Sequence, residues 1–206
     1  MADDFETRIQ AAASGDRAAY DELFEQNLPA LVAFLRAKVG GELAGRESVR
    51  DLAQSVCREV LRDLDSLAFG GEEQFRAYLF LQASRKVIDR YRYHKQEMRD
   101  PARVEALPEE SDEASLLGTY ASLTPSRIAG AREELTRVEA ALQLLPEAQR
   151  DAVLLSRIAG LSYQEIARQK NTTDAAVRGL VARGLARLAG LLGQSPDAAS
   201  HRAPEA

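Results

Sequence analysis

Basic side chains concentrate in two short stretches of a chain that is acidic as a whole. Residues 84–99, the first basic island, hold six lysines and arginines against two acidic residues. Residues 157–187, the second basic island, again hold six against two, although the net charge of the 206-residue chain is −5. Such side chains neutralise phosphates and donate hydrogen bonds to guanine edges. The islands therefore predict two local DNA contacts, and the overall charge argues against an indiscriminate nucleic-acid binder.

The residue types needed for catalysis or metal binding are scarce. The chain has one cysteine, Cys57, and two histidines, His94 and His201, whose spacing matches no zinc site. There is also no histidine-based triad and no glycine-rich phosphate loop. We predict a protein that is not an enzyme and needs no cofactor or metal, with Cys57 as a half-buried, reduced thiol.

The elements that carry the islands are predicted to be helices. Apolar residues recur three and four positions apart, and no extended stretch alternates with a period of two, so the fold class is all-α. One helical stretch runs through residues 20–39, with a kink or restart at Pro29, and ends at Gly40-Gly41. A second begins near Ser48, a third near Glu73.

The hydrophobic and charge patterns predict two small helical domains. Residues 1–100 form the first and residues 124–193 the second. Residues 101–123 are acidic and proline-containing, as is typical of a flexible linker, and residues 194–206 are predicted to be a disordered tail. The second domain opens with Thr124 as an N-cap before Pro125, and a further helix begins at Pro146-Glu147 and stops at Gly160.

The second island contains the pattern of a helix-turn-helix. Ser162 and Glu165 have the spacing of a capping box, a polar turn follows at 169–173, and a longer helix with an apolar stripe comes next. The outward residues at the start of that second helix reach base edges in the major groove, while later arginines contact phosphates. The residues predicted to contact DNA are Thr173, Asp174, Ala175, Arg178, Gly179, Ala182, Arg183 and Arg187. An ordinary helical hairpin with a solvated basic face remains the alternative on spacing alone.

The motifs around this pattern resemble region 4 of the extracytoplasmic-function sigma factors. They are Leu145-Pro146-Glu147-x-x-Arg150, the run from Gly160 to Ala167, and Val177-Arg178. The resemblance implies that this part of the chain reads the promoter −35 element.

The N-terminal half resembles region 2 of the same family. Asp51-Leu52-x-Gln54-x-Val56 is similar to the helix that grips the polymerase clamp, although Ser55 stands where a glutamate is common. Residues 75–79 and 87–92 resemble the −10 segment, and the loop 67–74 would accept a flipped base. The resemblance implies polymerase contacts at Asp51, Gln54, Ser55 and Arg58, and −10 contacts at Arg85, Lys86, Arg90, Tyr91, Arg92 and Lys95.

The resemblance implies a sigma factor that binds core RNA polymerase and directs promoter recognition and transcription initiation. Its partners would be core RNA polymerase and promoter DNA, with an anti-sigma factor, or a Ser/Thr kinase acting at Thr124 or Ser126, as further candidates. No apolar run is long enough to span a membrane, and the acidic N-terminus is unlike a secretory signal, so we expect a cytoplasmic protein. The alternatives are a stand-alone helix-turn-helix transcriptional regulator and a sigma-mimicking protein that binds a regulator instead of DNA.

Overall fold

A computed structural model describes residues 2–44, 46–67, 69–97 and 125–193, and every regular element within these ranges is helical. The predicted all-α fold class is therefore confirmed. The N-terminal half has five α-helices, with a 3-10 turn at Leu64–Ser66. They are α1 (Ala2–Ala13), α2 (Arg17–Glu25), α3 (Leu28–Ala44), α4 (Val49–Asp63) and α5 (Glu72–Glu97).

The helix boundaries in the N-terminal half follow local chemistry. The Ser48 hydroxyl accepts a hydrogen bond from the Asp51 N–H at 3.3 Å, which confirms the predicted start of α4. The predicted first stretch is two helices, and Pro29 lies in the first turn of α3, where its missing N–H has no intrahelical acceptor to lose. Gly40 interrupts α3 with φ 57° and ψ 165°, a conformation that favours glycine.

The N-terminal core is aromatic at its centre. Phe34 and Phe80 are fully buried, with ring centroids 5.1 Å apart in an edge-on arrangement. Leu28, the first residue of α3, is 42% exposed although it is apolar and lies within the predicted first stretch. Helix α1, which was not predicted from the sequence pattern, packs against α2 and contributes Phe5 to this core.

The single cysteine lies inside this core. Cys57 is only 4% exposed, so the expectation of a half-buried thiol is corrected to a buried one. Burial raises the pKa of its thiol to about 12. Because the thiolate is the reactive form, Cys57 is an inert packing residue.

The C-terminal half consists of four α-helices, with a π-helical turn at Leu154–Ile158 continuing the second of them. They are α6 (Pro125–Gln143), α7 (Glu147–Val153), α8 (Tyr163–Lys170) and α9 (Asp174–Gly193). Pro125 is the first residue of α6 and Glu147 the first of α7, as the sequence predicts.

Close packing in the C-terminal half depends on a glycine of α9. A Cβ atom at Gly184 would lie 2.7 Å from Val153 Cγ2 and 3.3 Å from the backbone oxygen of Gln149. The absence of a side chain thus allows α9 to approach α7.

The two halves contact each other through α3 and α5. Helix α3 packs against α6 and the π-helical turn, and α5 packs against α8. The predicted linker at 101–123, Thr124 and the tail at 194–206 lie outside the described residues. Among the described helices, none has the length and hydropathy needed to cross a bilayer.

Candidate nucleic-acid and protein-binding surfaces

Helices α8 and α9 form the predicted helix-turn-helix, and side-chain caps define it. The Ser162 hydroxyl accepts from the Glu165 N–H at 3.2 Å and begins α8. Asn171 ends α8 in the left-handed conformation, with φ 49° and ψ 53°. Thr173 Oγ1 then accepts from the Ala176 N–H at 3.2 Å at the start of α9. Thr173, predicted to contact DNA, therefore also caps the second helix.

The remaining predicted −35 residues lie on the solvent side of α9. Val177, Val181 and Leu188 are buried on the opposite side. Asp174 and Gly179 are half-buried, and the exposed predicted contacts are Ala175, Arg178, Ala182, Arg183 and Arg187. The helix thus presents an exposed surface of polar and small residues over nearly four turns, from 174 to 187.

Arg178 is held in place by two neighbours although it is exposed. Its Nη2 donates to Asp174 Oδ2 at 3.0 Å, one turn earlier on α9. Its guanidinium also lies 5.7 Å from the centroid of the Tyr163 ring on α8. Both contacts are at the surface, so the guanidinium can leave them for another acceptor at small cost.

Residues 84–97 of the first basic island lie on the C-terminal part of α5, and half of the predicted −10 contacts are engaged within the fold. Lys86 forms an ion pair with Glu59, and Arg90 Nε lies 3.4 Å from Glu47 Oε1. The Tyr91 hydroxyl donates a hydrogen bond to the backbone oxygen of Val39. The other predicted −10 contacts, Arg85, Arg92 and Lys95, are exposed.

A second tyrosine of α5 is more accessible than the predicted one. Tyr93 is 48% exposed and Tyr91 is 36% exposed. Tyr93 borders a groove of about 450 Å³ between α4 and α5, which Arg85 and Gln82 also line. Spacing along α5 could not predict this difference, because Tyr91 is held by the carbonyl of Val39 on another helix.

A larger cavity of about 520 Å³ lies between α1 and the chain that follows α4. Leu67 and Phe69, from the loop predicted to accept a flipped base, line one side. Ile9 and Gln10 of α1 line the other. The loop is braced by the Gly70 N–H, which donates to Gln74 Oε1 at 2.8 Å.

The predicted polymerase contacts share the polar side of α4. Asp51, Gln54 and Arg58 are exposed and Ser55 is half-buried, whereas Leu52 and Val56 point into the core. The Arg58 side chain folds back onto its own helix, with Nε 3.4 Å from the backbone oxygen of Gln54. This surface can therefore receive another protein without rearrangement of the core.

Comparison with known proteins matches both halves of the chain. The model described as Sigma-70 region 2 matches residues 23–97, and the model described as Sigma-70, region 4, matches residues 135–188.

Among curated proteins, the chain is similar to the ECF RNA polymerase sigma factor SigD of Mycobacterium tuberculosis, with 33% identity over 180 residues, 87% of this chain and 80% of that protein. It is also similar to the ECF RNA polymerase sigma factor ShbA of Streptomyces griseus, with 31% identity over 204 residues, 94% of this chain and all of that protein. Among solved structures it is similar to CnrH in complex with the cytosolic domain of CnrY, with a TM-score of 0.62, 25% identity, and coverage of 93% of this chain and 99% of that one.

Proposed function

The chain belongs to the extracytoplasmic-function sigma factors of the sigma-70 family, and from this membership we propose how its surfaces divide the work of promoter recognition. As a sigma factor, it directs RNA polymerase to promoters for transcription initiation. The unit at 1–100 binds core polymerase and the −10 element, and the unit at 124–193 reads the −35 element, with 101–123 joining them. The protein is not an enzyme and acts in the cytoplasm, where polymerase carries out the chemistry.

The outward side of α9 supplies −35 recognition in this proposal. The observation that supports −35 recognition is the exposure of the first turns of α9. Thr173 caps this helix, and Arg178 lies at the centre of the exposed turns. Arg178 donates to a guanine edge once its guanidinium leaves Asp174. Arg183 and Arg187 lie farther along the helix and neutralise phosphates.

The exposed residues of α5 supply −10 binding. Arg85, Arg92 and Lys95 follow the phosphates of the unpaired strand, and Tyr93 offers a ring on which a base can stack. Lys86, Arg90 and Tyr91 belong to the same surface but act mainly by holding α5 against its neighbours.

The polar side of α4 binds core polymerase. We expect the double substitution Asp51→Ala and Gln54→Ala to weaken co-elution with core polymerase while leaving the helical content unchanged, because both side chains are exposed. A matched control is Asp21→Ala with Gln26→Ala, which removes the same side-chain types from another exposed site. Undiminished co-elution of the Asp51/Gln54 variant would contradict this placement.

The stand-alone regulator and the sigma mimic predict different behaviour from the same preparations. The isolated protein should bind duplex promoter DNA weakly, since each island has few cations and the rest of the chain is acidic. Tight sequence-specific binding without polymerase would favour the regulator. If the protein supports no promoter-specific initiation and instead binds a regulatory protein, the sigma mimic is favoured.

A regulatory protein partner is the remaining part of the proposal. The related CnrH is seen in complex with the cytosolic domain of CnrY. We expect an anti-sigma factor of comparable kind for this chain. A Ser/Thr kinase acting at Thr124 or Ser126 stays a prediction, and Thr124 lies outside the described residues.

A further inference from the structure

The helix-turn-helix has a single acidic side chain on its exposed surface. Residues 160–193 contain two carboxylates, those of Glu165 and Asp174. Glu165 is only 7% exposed, whereas the side chain of Asp174 is 40% exposed. Asp174 is also the first residue of α9, and the first residues of such a helix contact base edges in the major groove. A carboxylate at this place is repelled by the phosphates of DNA unless its charge is compensated.

The charge of Asp174 is compensated by Arg178 of the same helix. Asp174 Oδ2 accepts a hydrogen bond from Arg178 Nη2 at 3.0 Å. The turn that carries Asp174 is fixed by the cap, in which Thr173 Oγ1 accepts from the Ala176 N–H at 3.2 Å. The guanidinium of Arg178 is fixed in turn by the Tyr163 ring, whose centroid lies 5.7 Å away. The first two turns of α9 therefore hold a cation and an anion that offset each other before DNA binds.

The other two exposed arginines of α9 have no partner of this kind. In the described part of the chain, neither Arg183 nor Arg187 forms a salt bridge. They can bind phosphates whatever the base sequence. Arg178, in contrast, leaves Asp174 when it donates to a guanine edge, and this step also releases the carboxylate. Two recognition groups thus become available together, one that only donates hydrogen bonds and one that only accepts them.

The chemistry of the major groove determines which base the released carboxylate fits. Guanine presents only acceptors there, thymine presents an acceptor and a methyl group, and adenine presents an amino donor beside the acceptor N7. Cytosine presents its N4 amino group without a neighbouring acceptor, so it is the base whose edge suits Asp174. Side chains one helical turn apart have Cβ atoms roughly 5–6 Å apart, and successive bases lie about 3.4 Å apart. Asp174 and Arg178 can therefore reach the same base pair or neighbouring pairs.

We propose that Asp174 is a specificity-determining residue that accepts a hydrogen bond from the N4 amino group of a cytosine in the −35 element. On binding, Arg178 and Asp174 exchange their mutual hydrogen bond for contacts to one guanine and one cytosine. A −35 sequence that lacks the cytosine leaves the released carboxylate unpaired, and this weakens binding. The proposal rests on the proposed function, in which the outward side of α9 reads this element.

Binding of the reconstituted holoenzyme to synthetic promoter duplexes tests the cytosine contact. One set of duplexes carries every single-base change across the −35 element. In a second set, each cytosine of the preferred sequence is replaced in turn by 2-pyrimidinone, which lacks the 4-amino group. With the unsubstituted protein, loss of the amino group at one cytosine should weaken binding about 3- to 10-fold. The place of that cytosine, opposite the guanine read by Arg178 or in a neighbouring pair, distinguishes the two geometries.

The substitution Asp174→Ala should act differently on promoters with and without this cytosine. Where the cytosine is present, binding should weaken about 3- to 10-fold, and the sensitivity to 2-pyrimidinone should disappear. Where the cytosine is absent, binding should stay equal or rise by up to about 3-fold, because no unpaired carboxylate repels the phosphates. A role in folding alone would lower binding to all promoters equally. The matched control is Glu134→Ala, which removes another exposed carboxylate paired with an arginine of its own helix, Arg137 at 3.1 Å.

The substitution Arg178→Ala separates a direct base contact of Asp174 from an indirect role. It releases the carboxylate, so the guanine preference should be lost while the sensitivity to the 4-amino group of cytosine persists. Loss of both preferences would show that Asp174 acts only by holding Arg178, and would overturn the proposal. Equal weakening of all promoters by Asp174→Ala would also overturn it, although a guanine preference that depends on Arg178 would leave the proposed function standing. If neither substitution changes any base preference, −35 reading by these residues fails as well.

Discussion

The two basic islands have similar composition but different surroundings. On α9, Arg178 is paired one turn away along its own helix, with Asp174, and remains largely exposed. On α5, Lys86 and Arg90 are paired with Glu59 and Glu47, which lie outside that helix, and Lys86 is 16% exposed. Charge in a stretch of sequence therefore does not reveal whether a basic side chain is available to a ligand.

This difference assigns different consequences to the same type of substitution. Removing an exposed arginine of α9 should affect DNA binding and leave stability nearly unchanged. Removing a paired basic residue of α5, or its acidic partner, should affect stability first, because it leaves a half-buried charge without its partner. Three measurements test the contrast, ordered from the largest expected effect to the smallest, and a fourth tests the buried carboxylate of Asp151.

The substitution Arg178→Ala should weaken use of the preferred −35 sequence by about 1–3 kcal/mol and relax the choice at one base pair. The free energy of unfolding should change by less than about 0.5 kcal/mol. The measurement is transcription by the reconstituted holoenzyme from single-base −35 variants at several salt concentrations. Arg183→Ala is the control, and it should weaken all sequences equally and lower the salt dependence by about one unit. Unchanged base preference with Arg178→Ala would contradict its role.

The substitution Glu47→Gln should lower the free energy of unfolding by about 1–2 kcal/mol, since hydrogen bonds to charged groups are among the stronger ones. Glu47 is 13% exposed, and its Oε1 lies 2.9 Å from His94 Nε2 and 3.4 Å from Arg90 Nε. Urea unfolding measures the loss. Glu133→Gln, at an exposed site of α6, should change stability little. Equal stability of the two variants would remove the structural role given to Glu47.

A matched pair on α5 separates stability from strand binding. Lys86→Met keeps the aliphatic stem but loses the pair with Glu59, so it should cost about 0.5–1 kcal/mol of stability. Arg92→Met, at a residue whose side chain is 75% exposed, should leave stability unchanged and weaken opened-promoter binding instead. Unfolding midpoints and binding to a single-stranded −10 oligonucleotide by the holoenzyme provide the two readouts. The reverse pattern would show that the island binds DNA through its paired residues.

The smallest expected effect is the loss of the stabilising contribution of Asp151 at acidic pH. The pKa of Asp151 is below its ordinary value in the folded protein, so its contribution to stability is complete above the unfolded-state value of about 3.9 and is lost as the pH falls through the folded value. We expect the stability difference between the unsubstituted protein and Asp151→Asn to be constant from neutral pH to about pH 5 and to shrink below about pH 4. Urea unfolding across this range measures it. A stability difference that grows as the pH falls below about 4 would contradict the ion pairs of Asp151 with Lys38 and Lys170.

Local features were predictable because their causes lie within a few residues. Ser48 and Ser162 accept from N–H groups three residues ahead, and Gly160 stops the preceding helical segment with φ 68°. The two helices of the helix-turn-helix follow from such signals and from apolar spacing. Apolar spacing did not predict the exposure of Leu28, because the chain breaks between α2 and α3 and the spacing assumes one continuous helix.

The sequence by itself determined most of the helices, the serine caps of α4 and α8, the two basic islands and the similarity to a family. Tertiary structure decided which charged side chains are paired with residues far away in the sequence and which are exposed to solvent. The partners of Lys86 and Lys38 lie 27 and 113 residues away along the chain. Electrostatic pairing depends on distance in space and on the water around each group, and a short stretch of sequence specifies neither. The meeting of the two halves at Asp151 therefore became visible only in the folded chain.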